Sequence, residues 1–374
     1  MRCAVQNFSF FCVLAKYCYI YRNKKPNLCM KSVLHWVFIL TTFAFSVTTL
    51  RAQDPHFMQL YTFASQLNPA LVGNYDGSYR AAAIYRNQWA SNLKSSAYQT
   101  VGADVDASFL EGVLKRSKFA GGMSVYNDRS GQSGLSYLNA SVTLAYHQGF
   151  GKDGNHRLSI GMQGAFIQKR VDNAIFGDQF NNFGSLTSSQ EQLLSKGIAT
   201  GDLNVGLYWK SNFHNKYKFG VGVGAYHLLQ PKENFLNDAM GAFGVDYARI
   251  SIDANGEFFF GKKNNLSISP EIVVFLQGPA HEINPAMFFT YYFQTGFRRN
   301  NSLHVGLRYR IGDAIIPVAQ VQFYNFRVGV AYDVNVSKLS ATTRNQGAVE
   351  VSLSYVGESA KSFKGTKALP SRRF

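Results

Sequence analysis

Cysteine is missing from most of the chain: all four, Cys3, Cys12, Cys18 and Cys29, lie in the first 29 residues. Beyond them neither a disulfide nor a thiolate metal or redox centre can form, so stability must come from backbone pairing and packing. Charge is sparse, with Asp, Glu, Lys and Arg at 16%. Past residue 52 no apolar run is long enough for a membrane helix, no fixed-period repeat recurs, and the only low-complexity stretch is a basic tail. His147, His156, His214, His227, His281 and His304 are scattered without metal-ligand spacing, as is His56 before them. No serine sits in a nucleophile elbow. No catalytic residue, metal site or cofactor is therefore assigned, and the chain does not read as an enzyme.

Two short runs resemble ligand loops but lack the chemistry. "GVGVGA", Gly220 to Ala225, has no Lys-Ser/Thr after it and is flanked by strand, which suits small inward residues in a wall. "YNDRSG", Tyr126 to Gly131, lacks the acidic ligands of an EF-hand and reads as a hairpin turn.

Aromatic residues are plentiful, 15% of the chain, alongside 33 glycines and 46% hydrophobic residues. That is rich for an average soluble enzyme. Residues Lys31 to Ala52 carry a basic start, an apolar core of signal-peptide length and a small residue at the expected cleavage point, so export is expected, with Gln53 first in the mature chain. Residues 30–52 are read as signal peptide and 1–29 as an over-extended gene start. Removing 1–52 takes away seven Lys/Arg and no acids, lowering the formal charge of +16 to +9. That moderate excess falls in turns such as Lys262–Lys263 and Arg298–Arg299, not on a base-reading face, and no nucleic-acid partner is expected.

The remaining pattern has period two. In "FRVGVAYDVNV", Phe326 to Val336, apolar residues alternate with Arg327, Asp333 and Asn335. Fourteen such segments begin near Ser78, Ala97, Lys118, Ser136, His156, Thr200, Tyr217, Arg249, Asn265, Asn284, Asn301, Ile315, Phe326 and Gly347. Most run about ten to thirteen residues, enough to cross a bilayer at a barrel's tilt, which takes roughly 9–11. Links after even-numbered strands are mostly short, and those after odd strands include the longest, Val171 to Ala199 and Gln230 to Ala248. An even count with short turns at one end and long loops at the other predicts an all-β, transmembrane antiparallel barrel over residues 78–357, followed by a basic tail over 358–374.

Parity places Arg80, Arg86, Asp104, Asp106, Asp253, Glu257, Glu271, Arg308, Arg310, Arg327, Asp333 and Glu350 opposite the aromatic face, as an interior charge network. Closure is expected to bring Glu350 near Arg80 or Arg86. Trp89 and Trp209, near strand ends, suit an interfacial girdle. Residues 53–77 form a lead-in or plug. Asp54 and Pro55 would open a short helix, Phe57, Leu60, Tyr61 and Ala64 would share its face, and Asn68 with Pro69 would stop it.

Several stretches in order, "LNPALVG" (Leu67 to Gly73), "YRNQW" (Tyr85 to Trp89), "GGMSVYNDRSG" (Gly121 to Gly131), "LSIGMQGA" (Leu158 to Ala165), "GLRYR" (Gly306 to Arg310), "VGVAYDVNVSKL" (Val328 to Leu339) and "GAVEVSLSY" (Gly347 to Tyr355), resemble the PorP/SprF family of type IX secretion. The resemblance spans about Gln53 to Gly357. It implies an outer-membrane barrel of Bacteroidota, surrounded by outer-membrane lipid and working with the secretion and gliding apparatus. Its partners would be periplasmic ring proteins or a secreted surface protein. It supplies no catalytic residues. On this reading the long loops bind the partner, with Phe176, Phe180, Phe183 and Phe243 as anchors. The competing reading is a FadL-like or porin-like transporter of small solutes.

Overall fold

The computed structural model describes residues 57–93, 96–110, 116–131, 134–151, 154–172, 197–213, 216–233, 244–261, 264–293, 301–337 and 340–358. Its strands are β1 (Tyr79–Gln88), β2 (Tyr98–Phe109), β3 (Ser117–Ser130), β4 (Leu135–Phe150), β5 (His156–Arg170), β6 (Gly197–Phe213), β7 (Tyr217–Tyr226), the two-residue pieces β8 (Lys232–Glu233) and β9 (Gly244–Val245), then β10 (Arg249–Phe260), β11 (Leu266–Gln277), β12 (Ala280–Tyr292), β13 (Ser302–Arg310), β14 (Ala314–Phe323), β15 (Phe326–Asn335) and β16 (Gln346–Gly357). Each barrel strand pairs antiparallel with its neighbours in the chain. β7 joins β10 past the small β8–β9 ribbon, and β16 closes on β1, giving fourteen strands in one barrel. The closing seam runs in register from Tyr79 opposite Gly357 to Gln88 opposite Ala348.

Burial inverts what a soluble sheet shows. Leu144 is 62% exposed and Val105 50%, whereas Asp253 and Glu350 are fully buried. Along β15, Phe326, Val328, Val330 and Tyr332 face out, and Arg327, Gly329, Ala331 and Asp333 face in. An apolar outer face of this extent is stable only against hydrocarbon. The period-two sequence produces it because successive Cβ atoms point to opposite faces. Strand starts match the alternation closely. The largest offset is β12, expected near Asn284 and starting at Ala280, because Ala280 to Ile283 are half-buried or exposed and carry no clean alternation.

The N-terminal segment holds the expected short helix, but over fewer residues than its spacing suggests. A helix opened by Asp54 and Pro55 falls on residues outside those described, and from Met58 to Phe63 the backbone forms turns. The α-helix covers only Ala64–Leu67. The amide N–H groups of Met58 and Gln59 donate to the Glu350 carboxylate, each at 2.7 Å, instead of taking helical partners. The stop falls where expected: Asn68 precedes a 3-10 turn, Pro69–Leu71, and its Oδ1 accepts from the Ala70 N–H at 3.0 Å. The helical spacing marks residues that pack together, since Leu60, Ala64 and Leu67 share one cluster with Phe57 and Tyr61 beside it.

Candidate functional site, a lumen filled by the N-terminal segment

The links after β2, β4, β6, β10, β12 and β14 lie at one end of the barrel and include neither of the two long links, which follow β5 and β7; in an outer-membrane barrel the end without long loops faces the periplasm. Glu350 lies four residues from the outer end of β16, and Asp106 lies three from the inner end of β2. Met58 and Gln59 bind the first. Gly73 and Tyr75 bind the second, the Gly73 N–H donating to Asp106 Oδ2 at 2.6 Å and the Tyr75 hydroxyl to the Asp106 carbonyl at 2.8 Å. The segment therefore descends the lumen from its outer third to its inner rim, where Ser78 N–H donates to the Gly357 carbonyl.

Wall side chains satisfy the plug's backbone all the way down. Ser65 donates through its hydroxyl to Asp104 at 2.7 Å. The Ser65 carbonyl accepts from the Tyr226 hydroxyl at 3.1 Å, Gln66's from Arg249 at 3.1 Å, and Leu67's from the Ser251 hydroxyl at 2.7 Å. His147 Nε2 lies 2.9 Å from the Val72 carbonyl, and Lys118 donates to that of Gly73. Asn68, fully buried, donates to the Leu207 carbonyl at 3.1 Å and towards Asp253. A buried irregular segment is tolerated because each of these polar groups finds a partner.

The wall also makes room. A Cβ on Gly161 would lie 2.4 Å from the Pro69 carbonyl carbon, and one on Gly206 would lie 2.1 Å from Asn68 Oδ1. Gly222, in the "GVGVGA" run, likewise has Asn68 Nδ2 at 2.6 Å from its would-be Cβ. Gly222 fulfils the reading of its run as small inward residues in a wall, whereas Gly161, Gly206 and the Gln59 side chain, which accepts from Gln320 and Ser352 through Oε1, were missed in the sequence. The alternation shows only that they face inward.

The interior charges lie as follows. Arg80 grips Asp106 with two bonds, 2.9 and 3.1 Å. Asp253 accepts from Tyr61 and Asn68, both at 3.4 Å. Burial, with Asp253 and Glu271 nearby, pushes the Tyr61 phenol upward, so it stays a neutral donor. Glu257 pairs with Lys218 at 3.2 Å, Glu271 with Arg308 at 3.0 Å, and Arg310 with both Asp333 and Asp313 at 2.8 and 2.7 Å. Arg327 donates to His304 and Gln322. Arg86 stands opposite Glu350 across the seam, whereas Arg80 stands opposite Val356. The expected choice for Glu350 thus resolves to Arg86 by register, but its carboxylate oxygens are given to the plug. The anchors Phe176, Phe180, Phe183 and Phe243 lie outside the described residues.

The buried histidines hold structure together. His147 Nδ1 meets Ser159 Oγ at 2.7 Å, His227 meets Asp202 at 2.8 Å, and His304 meets Thr290 at 2.7 Å. Trp89 and Tyr98 meet edge-to-face at the outer end of β1 and β2, while His156 stacks on Trp209 near the inner turns. A small cavity between plug and wall is lined by Phe57, Phe63, Leu67, Tyr126, Arg249 and Phe275, among others.

A closed, lipid-faced barrel with an even strand count and a charged interior defines an outer-membrane β-barrel protein. The family described as type IX secretion system membrane protein PorP/SprF matches residues 49–355, and the chain belongs to that family. Among solved structures it is similar to a Pseudomonas aeruginosa FadL homologue, with TM-score 0.45 and 9% identity over 77% of this chain and 92% of that one. It is similar also to a deletion mutant of the TodX monoaromatic hydrocarbon channel, with TM-score 0.47 and 10% identity over 79% and 94%. The translocator domain of autotransporter NalP from Neisseria meningitidis gives TM-score 0.39 and 10% identity over 79% and 93%. No curated protein matches it.

Proposed function

We propose that this type IX secretion barrel works by binding and not by conducting solutes. Its long outer loops hold a secreted surface protein, with Phe176, Phe180, Phe183 and Phe243 as apolar anchors, and its periplasmic end meets components of the secretion ring. The observation that carries this reading is the lumen itself, occupied from Met58 to Tyr75 and tied to the wall by charged and polar side chains at every level. A path for solutes would require displacing a segment whose backbone groups are already paired.

Single-channel recording in a planar bilayer tests it. The full-length protein is expected to insert and remain electrically silent. Discrete, reproducible conductance steps from the unaltered protein would instead favour the transporter reading.

A further inference from the structure

The plug is tied to a wall carboxylate near each end, and the two ties differ in the arginine that stands beside them. At the inner rim Asp106 accepts from the Gly73 N–H, and Arg80 is bonded to the same carboxylate at 2.9 and 3.1 Å. At the outer end Glu350 accepts from the N–H groups of Met58 and Gln59, both at 2.7 Å. The residue in register with Glu350 across the seam is Arg86. Its side chain is only 6% exposed, yet its Nε has no hydrogen-bond partner among the described residues. Other charges that act on Arg86 have bonds of their own: Arg310 and Asp333 are joined at 2.8 Å, and Asp128 accepts from the hydroxyls of Thr100 and Ser130.

A buried guanidinium donor left unbonded is costly, and a second arrangement that uses it would recover that cost. Register supplies the arrangement. Cα atoms directly opposite in an antiparallel pair lie roughly 4.5–5.5 Å apart, so Arg86 can bond the Glu350 carboxylate once its oxygens are free of the plug.

We propose that Arg86 is the exchange partner of Glu350: when the outer end of the plug leaves the wall, the carboxylate passes from the Met58 and Gln59 N–H groups to the Arg86 guanidinium. At the inner rim Arg80 is already engaged with Asp106, so no such offset arises there. The plug therefore has one end built to let go, a strap from Phe57 to Phe63, and one end that stays. Opposing release, Met58 is buried in an apolar patch with Ala286, Phe288, Ile316 and Val318, and Gln59 Oε1 accepts from Gln320 and Ser352. The seated form is thus the resting one, and a partner that binds the lifted strap shifts the balance by its difference in affinity for the two forms. The exchange stands apart from the binding reading above, because a strap can lift while Gly73 and Tyr75 keep the inner rim filled.

The test is hydrogen–deuterium exchange of the full-length protein in detergent, read by mass spectrometry on peptides covering the strap and the inner rim. An amide exchanges in proportion to the population in which its bond is open. Arg86→Gln and Arg86→Met both remove the exchange partner. Each is expected to slow exchange of the strap at least threefold, to leave the inner rim unchanged and to keep heat-modifiable mobility. Arg86→Lys, which keeps the cation, is expected to stay within twofold of the unaltered protein. In a Glu350→Gln background, Arg86→Gln is expected to change nothing further, since no carboxylate remains to transfer. An Arg86 that merely supports the wall would loosen the strap when removed, so exchange that is equal or faster in both uncharged variants would overturn the proposal. Equal slowing with and without the Glu350 carboxylate would overturn it too. Conductance in a planar bilayer strikes the binding reading and leaves this exchange standing.

Discussion

At Gly206 a single added carbon would lie 2.1 Å from the Asn68 side chain and 2.9 Å from the Ala70 nitrogen. Neither neighbour can yield, because Asn68 is bonded to the wall and to its own turn. Gly206→Leu is therefore expected to expel the plug without opening the barrel. The measurement is the appearance of channel conductance with unchanged heat-modifiable mobility, and a variant that stays silent would show that the plug tolerates the intrusion. Glu350 presents the opposite case, a side chain whose removal leaves buried donors. Glu350→Ala strands the N–H groups of Met58 and Gln59, at about 1–3 kcal/mol for each buried donor left unmet. The compact form of this variant is expected to melt at a lower temperature on a heating series by gel mobility. Gln at the same position, which keeps an acceptor, is expected to lose less.

Within the elements, the two faces of β15 respond differently. Val330 is 48% exposed and points away from the lumen. An Arg there would sit against acyl chains, costing about 2–4 kcal/mol near the bilayer midplane. Val330→Arg is expected to lower the folded fraction in lipid vesicles, measured by urea titration, whereas Val330→Leu leaves it unchanged. The strand itself was legible because its neighbour-to-neighbour contrast is a local property. The extent of the helix was not. Phe57, Leu60, Tyr61 and Ala64 have helical spacing, yet the backbone around Met58 and Gln59 answers to a carboxylate on β16, 291 residues further along the chain for Gln59. Local periodicity cannot register a competitor that arrives only when the barrel closes.

For the molecule as a whole, the link between β5 and β6 is the longest stretch of chain joining two barrel strands. Excising residues 173–196 and joining the strands by a short turn should leave the barrel intact, because long loops add little closure entropy over short ones. Retention of the secreted partner at the cell surface is expected to be lost, as read by surface labelling of intact cells. Unchanged retention would place the binding surface elsewhere on the barrel.

Composition and alternation determined by themselves that this chain makes a lipid-facing barrel, how many strands it has, which charges turn inward and at which end the long loops lie. These are properties of successive residues, and backbone geometry converts them directly into faces. Partnership was decided only by the closed structure. Arg80 binds Asp106 and not Glu350, and the wall glycines stand where the plug passes, because register around a ring brings together residues that no spacing along the chain relates. The barrel's interior is a consequence of closure, and its occupant could be found only once the walls were in place.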